Sequence, residues 1–303
     1  MTRRRLFCIV CAAVLLTAFG AGAQQPSGPA NGNYLGSRLM ETEPQGPCPP
    51  DIPALYQAYE IVTGTDMRQR PWGFAQTLRE VLVKVSGDPR LKTDPRTAPL
   101  AERAADFVAC FRYADEMADV PLHDEQGTYD RPYKLTVTFA PAKIDALLAT
   151  LDDHPWRGER PAVVPVLLVH GRKPPPYLLT ADAPAGAEQR GAFATAAGQF
   201  GLKFRIPTNA QLAAWAVTLN HFPSALPPPA VREAPKEAIV LGTLDWSETL
   251  PGWIGKWRMR WHNVDHEWAV RGVNYDAAFR DIVAGVELIA SGNGSPDPDR
   301  GEH

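Results

Sequence analysis

The chain has 303 residues, 45% hydrophobic and 21% charged, which places it among globular proteins and excludes a disordered or collagen-like polymer. Its 31 Lys and Arg against 34 Asp and Glu give a formal charge of −3; the first 23 residues hold three arginines and no acid, so the body alone stands at −6. An acidic body lacks the footprint that non-specific nucleic-acid binding needs and is not drawn to anionic lipid.

Arg3, Arg4 and Arg5, the apolar run from Leu6 to Phe19, and Ala21-Gly22-Ala23 before Gln24 have the form of a secretory signal over residues 1–23. The run is short for a bilayer span and no stop-transfer pattern follows, so removal is expected rather than retention as an anchor. The arginines fall short of a twin-arginine motif, and Cys11 follows Ile9-Val10 rather than small residues. The expected destination is therefore the periplasm or the exterior, without lipidation and without a stable membrane span after processing.

Processing removes Cys8 and Cys11 and leaves Cys48 and Cys110. Two thiols in an oxidising compartment suggest one disulfide; the alternative is two unpaired cysteines, with Cys110 buried on a helix. Neither has another Cys or His at ligand spacing, so no metal is expected there.

Residues 24–52 are rich in Pro, Gly, Ser and Asn without hydrophobic period and read as a flexible leader; residues 291–303 read as a disordered tail. Between them two parts are expected, 53–155 and 161–290, divided at His154–Pro161. The first opens with a strand over Ala54–Val62. A helix follows, carrying Phe74, Leu78, Val81, Leu82 and Val85 on one stripe and ending at Ser86-Gly87-Asp88-Pro89. A second helix is expected over Pro99–Tyr113, a half-buried strand over Tyr133–Phe139, and a short helix with Ile144, Leu147, Leu148 and Leu151.

The second part starts with Val163–Val169, a continuous apolar run typical of a strand buried on both faces. Next come a helix over Glu188–Phe200, a short strand over Leu202–Ile206, a helix capped by Thr208 or Asn209 and running through Leu219, and a proline-rich loop over Pro223–Pro235. A strand over Ala238–Leu244, a hairpin of Lys256–His262 with Glu267–Arg271 around Asn263-Val264-Asp265, and a helix over Tyr275–Ala290 complete it. The fold class is α+β: an N-terminal β-α-α-β-α domain, then an α/β sandwich domain with a C-terminal β-hairpin and helix.

Tyr56, Arg70, Phe74, Leu78 and the block Val81-Leu82-Val83-Lys84-Val85-Ser86-Gly87-Asp88, followed by the strand Pro132-Tyr133-Lys134-Leu135-Thr136-Val137, resemble a bacterial envelope family known as domain of unknown function 2066. The resemblance implies an envelope location and a two-part architecture, and it brings no activity and no catalytic residues.

Five of eight tryptophans, Trp246, Trp253, Trp257, Trp261 and Trp268, lie within 23 residues. Period two puts Trp257, Met259 and Trp261 on one face of a strand and Lys256, Arg258, Arg260 and His262 on the other, with Glu267 able to pair across the hairpin. The indoles of Trp257 and Trp261 read as core; Trp253, within Pro251-Gly252-Trp253-Ile254-Gly255, is the better candidate for an exposed ring. His170 follows the Val163–Val169 strand at the edge where α/β sheets bind ligands, but no matched acid is evident. Trp253, Arg258, Arg260, His262 and His170 are the candidate binding residues. The His262–Glu267 segment reads as a strand turn, not a helical metal motif, and the acidic residues around Asp124 and Glu125 read as a polar loop. No G-x-S-x-G, P-loop or dinucleotide fingerprint is present, so neither catalytic residues nor a cofactor are expected.

These features point to an exported, non-catalytic accessory protein of the envelope that binds a protein or a cell-envelope polymer such as a glycan. The alternative is a periplasmic hydrolase or transferase whose site follows no familiar motif, around His170 or the 262–267 turn. A third reading is ligand sensing between the two halves.

Overall fold

The computed structural model describes residues 48–118, 131–223, 236–298 and 300–301. The expected signal, most of the leader, and the acidic loop of Asp124 and Glu125 lie outside these residues.

The chain enters a short strand, β1 (Gln57–Thr63), after a single 3-10 turn at Ala54–Tyr56. Helix α1 (Arg70–Ser86) then forms with Pro71 in its first turn, where a missing N–H costs nothing. Its expected stripe is realised: Phe74, Leu78, Val81, Leu82 and Val85 are all buried. The helix stops at Gly87, which takes the left-handed conformation at φ 76° and donates its N–H to the Val83 carbonyl. Asp88 then accepts from the Arg90 N–H and starts a 3-10 turn.

The expected second helix over Pro99–Tyr113 is realised only at its start. Helix α2 is Ala98–Glu102, a 3-10 turn covers Ala104–Phe107, and strand β2 takes Val108–Asp115. Leu100, Ala104, Phe107, Val108 and Phe111 do fit a helical period, but Phe111 and Tyr113 also alternate with Arg112. Antiparallel pairing with β3 (Pro132–Phe139) settles the competition. The three strands form a sheet in the order β1-β3-β2, with both pairings antiparallel. Helix α3 (Pro141–Thr150) completes this half, which is the expected unit with one strand added.

Cys110 therefore lies on β2 rather than on a helix. It is fully buried and bonded to Cys48, with 5.3 Å between the Cα atoms.

The second half is built on a six-stranded sheet in the order β5 (Tyr177–Leu178), β4 (Ala162–His170), β6 (Glu237–Ser247), β7 (Gly252–Trp261), β8 (Val264–Val273), β9 (Arg300–Gly301). β4 (Ala162–His170) pairs with the edge strand β5 (Tyr177–Leu178) and, in parallel, with β6 (Glu237–Ser247). The crossover between β4 and β6 contains helices α4 (Ala187–Gln199) and α5 (Asn209–Ala214). A capping box between Thr208 and Gln211 starts α5, but the helix ends at Ala214 instead of running to Leu219; Ala216 turns the chain at φ 57°. The expected strand over Leu202–Ile206 is reduced to a single bridge, Phe204 with Val163.

β7 (Gly252–Trp261) and β8 (Val264–Val273) form the expected hairpin, closed by His262 and Asn263, both at positive φ, as a two-residue turn requires. Helix α6 (Tyr275–Ser291) is capped by Asn274 and packs, with α4, on one face of the sheet. β9 (Arg300–Gly301) lines up parallel to β8. Alternation along β4 and β6 sends Val163, Val169, Ala238, Val240 and Leu244 to the face under α6. It sends Val164, Val166, Ile239 and Leu241 to a smaller core with Leu212 and Val217. That second layer makes the sheet a sandwich.

One hydrophobic core runs through both halves, from Ala58 and Leu78 to Trp257 and Ile289. The Ser86-Gly87-Asp88 corner is the joint. Ser291 donates its hydroxyl to the Gly87 carbonyl at 3.0 Å, and the Asn293 amide donates to the Ser86 carbonyl at 3.1 Å. A Cβ on Gly87 would meet Ser291 Cβ at 2.5 Å and Trp156 Cε3 at 2.9 Å.

Beside this joint a charge pair is buried. Arg160 lies on Trp156, donates to the Lys84 carbonyl, and faces Glu287 of α6 at 3.8 Å, too far for a hydrogen bond. Neither carboxylate oxygen of Glu287, which is 0% exposed, has a hydrogen-bond partner among the described residues. Burial pushes this carboxyl well above the usual range, and Arg160 and Lys84 oppose the shift only in part.

Candidate functional site at the carboxyl edge of the second sheet

The indoles of the hairpin divide as the alternation requires. Trp257 and Trp268 are 1% and 3% exposed and Met259 is buried with them, so these are core. Trp257 lies in a socket made by Gly242 and Gly255, either of which would clash with it if given a Cβ, and its Nε1 donates to Asp281 Oδ2 at 3.0 Å. A bulky indole in the sheet is thus accommodated by two glycines on adjacent strands.

The cationic face of the hairpin is compensated. Arg258 stands opposite Glu267 in the register and pairs with it at 3.3 Å. Arg260 stands opposite Asp265 and grips both carboxylate oxygens, which holds that carboxyl below its ordinary range. His262 occupies the turn, with its ring stacked on Trp261 at 4.9 Å. His266 contacts the Ser295 hydroxyl at 3.0 Å, and burial lowers its pKa. No group of three or more His, Cys, Asp or Glu among the described residues is placed to hold a metal ion.

His170 and Trp253 both stand at the other end of the sheet, on opposite faces of it. Parallel pairing of β4 and β6 sets His170 directly beside Asp245, and the two last residues of the apolar runs meet. His170 Nδ1 lies 2.6 Å from Asp245 Oδ1, and the Thr243 hydroxyl donates to Oδ2 at 2.8 Å. A carboxylate at Nδ1 requires the proton there, which leaves Nε2 as the acceptor of the neutral ring. The matched acid that sequence reasoning did not find is Asp245. Its signal was present: aligning Val163–His170 with Ala238–Asp245 as parallel neighbours puts the histidine and the aspartate side by side.

On the opposite face of the same edge, Trp246 and Trp253 are paired in the register and pack edge to face at 5.5 Å. The Arg172 guanidinium lies 4.0 Å above the Trp246 ring, and Glu248 accepts from the Trp246 Nε1 at 2.7 Å. Gly171 lies against Trp253, and Arg172 and Lys173 are exposed. The edge therefore combines two half-buried indoles, two cations and an oriented imidazole. Of the five sequence candidates, His170 and Trp253 belong to it, whereas Arg258, Arg260 and His262 lie toward the hairpin tip.

Chemically, flat indole faces with guanidinium and ammonium groups suit a ring or peptide bearing negative charge. A histidine oriented by a carboxylate has the geometry of a general base. Among the described residues no hydroxyl or thiol hydrogen-bonds to His170 Nε2, and Thr243 is engaged with Asp245.

Over residues 51–157 the chain is similar to a family described as Domain of unknown function (DUF8605). The match is to a domain of unknown function, as the sequence resemblance implied, but not to family 2066; it spans the first half from β1 to α3. No curated protein and no solved structure matches the chain.

Proposed function

We propose that this chain is an exported, non-catalytic accessory protein of the cell envelope that binds a protein or envelope polymer at the β4–β6 edge. The observation that carries the reading is the Arg172–Trp246–Trp253 cluster, where cation and indoles share one open margin of the sheet. Rigid aromatic anchors beside a cation are the usual composition of a recognition patch. Export is supported by the signal-like pattern over residues 1–23 and by the Cys48–Cys110 bridge, which suits an oxidising compartment. No helix among the described residues is long and apolar enough to cross a membrane.

The His170–Asp245 pair favours a second reading, a periplasmic hydrolase or transferase with His170 as base. Retention of envelope components on the immobilised protein separates the two. The binding reading expects Arg172→Ala with Trp253→Ala to abolish retention of a specific protein or glycan, and His170→Ala to leave it largely intact. Retention unchanged by the double variant would overturn it. Turnover of an envelope polymer that vanishes in His170→Ala with the fold intact would establish the alternative.

A further inference from the structure

A separate cleft of about 400 Å³ lies between the outer face of the first sheet and the end of α4, and it shares no lining residue with the β4–β6 edge. Its floor follows from period-two alternation. Ala58, Leu135, Val137 and Phe111 turn into the core, so Tyr59, Lys134, Thr136 and Arg112 turn outward. The register puts Tyr59, Thr136 and Arg112 side by side across the three strands, with Lys134 diagonal to Arg112.

The charge on this floor is one-sided. Three cations, Lys84, Arg112 and Lys134, line the cleft, and among the described residues no carboxylate does. Lys84 is already satisfied by Glu80 at 2.9 Å and by the Gln57 carbonyl at 3.0 Å. Arg112 and Lys134 have no acidic partner among the described residues; the Lys134 ammonium sits 4.0 Å over the Tyr59 ring. Diagonal neighbours on antiparallel strands are roughly 7–8 Å apart, close enough for two like charges to repel and for one oxyanion to bridge them. Thr136 stands opposite Arg112 and two residues along the strand from Lys134, and it lines the cleft. A threonine hydroxyl lining a cationic cleft can donate to an oxyanion.

The opposite wall does not cancel this field. The carbonyls of Ala196, Ala197 and Gly198 at the end of α4 already accept from Phe200, Leu202 and Gly201. Gly198 leaves the mouth open, since nothing lies within 4 Å of where its Cβ would be.

We propose that this cleft is a binding site for a small molecule bearing an oxyanion, phosphate or carboxylate. The anion lies between Arg112 and Lys134 over Thr136, and the body of the ligand packs on Tyr59. Clefts between halves of a chain are common places for such sites. The inference stands independently of the β4–β6 edge.

The test is calorimetric titration of the processed protein with glucose 6-phosphate, glucuronate and inorganic phosphate at constant ionic strength. Saturable binding of at least one is expected, weakened tenfold or more by Arg112→Gln and by Gly198→Leu, which closes the mouth without altering charge. Preference for glucose 6-phosphate or phosphate identifies a phosphate ligand, and preference for glucuronate identifies a sugar acid. Lys134→Gln serves as the charge variant if Arg112→Gln does not fold. Absence of saturable binding by all three, or binding that survives both a charge variant and Gly198→Leu, would overturn the proposal.

Discussion

Gly87 carries two constraints at once: a left-handed backbone and no space for a side chain between Ser291 and Trp156. The first alone costs a residue with a Cβ about 1–2 kcal/mol, and the clash adds to it. Gly87→Ala is therefore expected to lower stability by more than about 2 kcal/mol in urea unfolding. Gly198→Ala, in a helix with open space around it, should raise stability by about 0.4–1 kcal/mol. Equal effects at the two sites would contradict this reading of the Ser-Gly-Asp corner. Glu287 makes a prediction of a different kind. Its buried carboxyl holds a proton at a pH where the unfolded chain has lost it, so the folded state binds more protons. Stability is then fully present below the unfolded pKa, about 4.3, and declines as pH rises toward the folded value. Glu287→Gln should flatten that slope in thermal melts, matching the parent below about pH 4 and exceeding it in stability at pH 7. Removing one partner of an ionised buried pair would instead cost about 3–5 kcal/mol, and such a loss would show that Glu287 is charged.

The elements most legible in the sequence were those whose period and punctuation agreed. α1 has its apolar stripe, a terminal glycine and a proline after it; α6 has Asn274 at its start and Gly292 at its end. β4 is a run of apolar residues with no helix-length extension. Legibility failed where two periods fitted the same residues. Over Leu100–Phe111 local pattern favoured a helix, and only pairing with β3, a contact remote in sequence, selects a strand from Val108 onward. The same strand bears Cys110, so the bridge to Cys48 ties the chain entering β1 to an edge strand and closes a separation of 62 residues. On the chain-entropy model that closure stabilises by about 4 kcal/mol. Urea unfolding with and without reductant should show a loss of that order, and Cys110→Ala should reproduce it under oxidising conditions. No change on reduction would mean that the bridge contributes nothing.

At the scale of the molecule, the two halves share one core and are joined at α1, α6 and the Trp156–Arg160 connector. The Ser86-Gly87-Asp88 end of the Val81–Asp88 block that carries the sequence resemblance is explained by this joint rather than by chemistry. The candidate site was only half legible. Trp253 and His170 were found from composition and position, but that both stand at one end of the sheet depends on strand order, which one-dimensional pattern does not encode. Glu267 was expected to pair across the hairpin, but that it meets Arg258 while Asp265 holds Arg260 is assigned only by hairpin register. The most direct measurement of the central claim is site-specific photocrosslinking in intact cells. A photoreactive residue at Lys173, exposed beside Arg172, is compared with one at Leu219, which is 49% exposed. Recognition through the β4–β6 edge predicts a discrete envelope adduct from Lys173, lost when Trp253→Ala and Arg172→Ala are added, and none from Leu219. No adduct at Lys173, or one indifferent to those two substitutions, would contradict it.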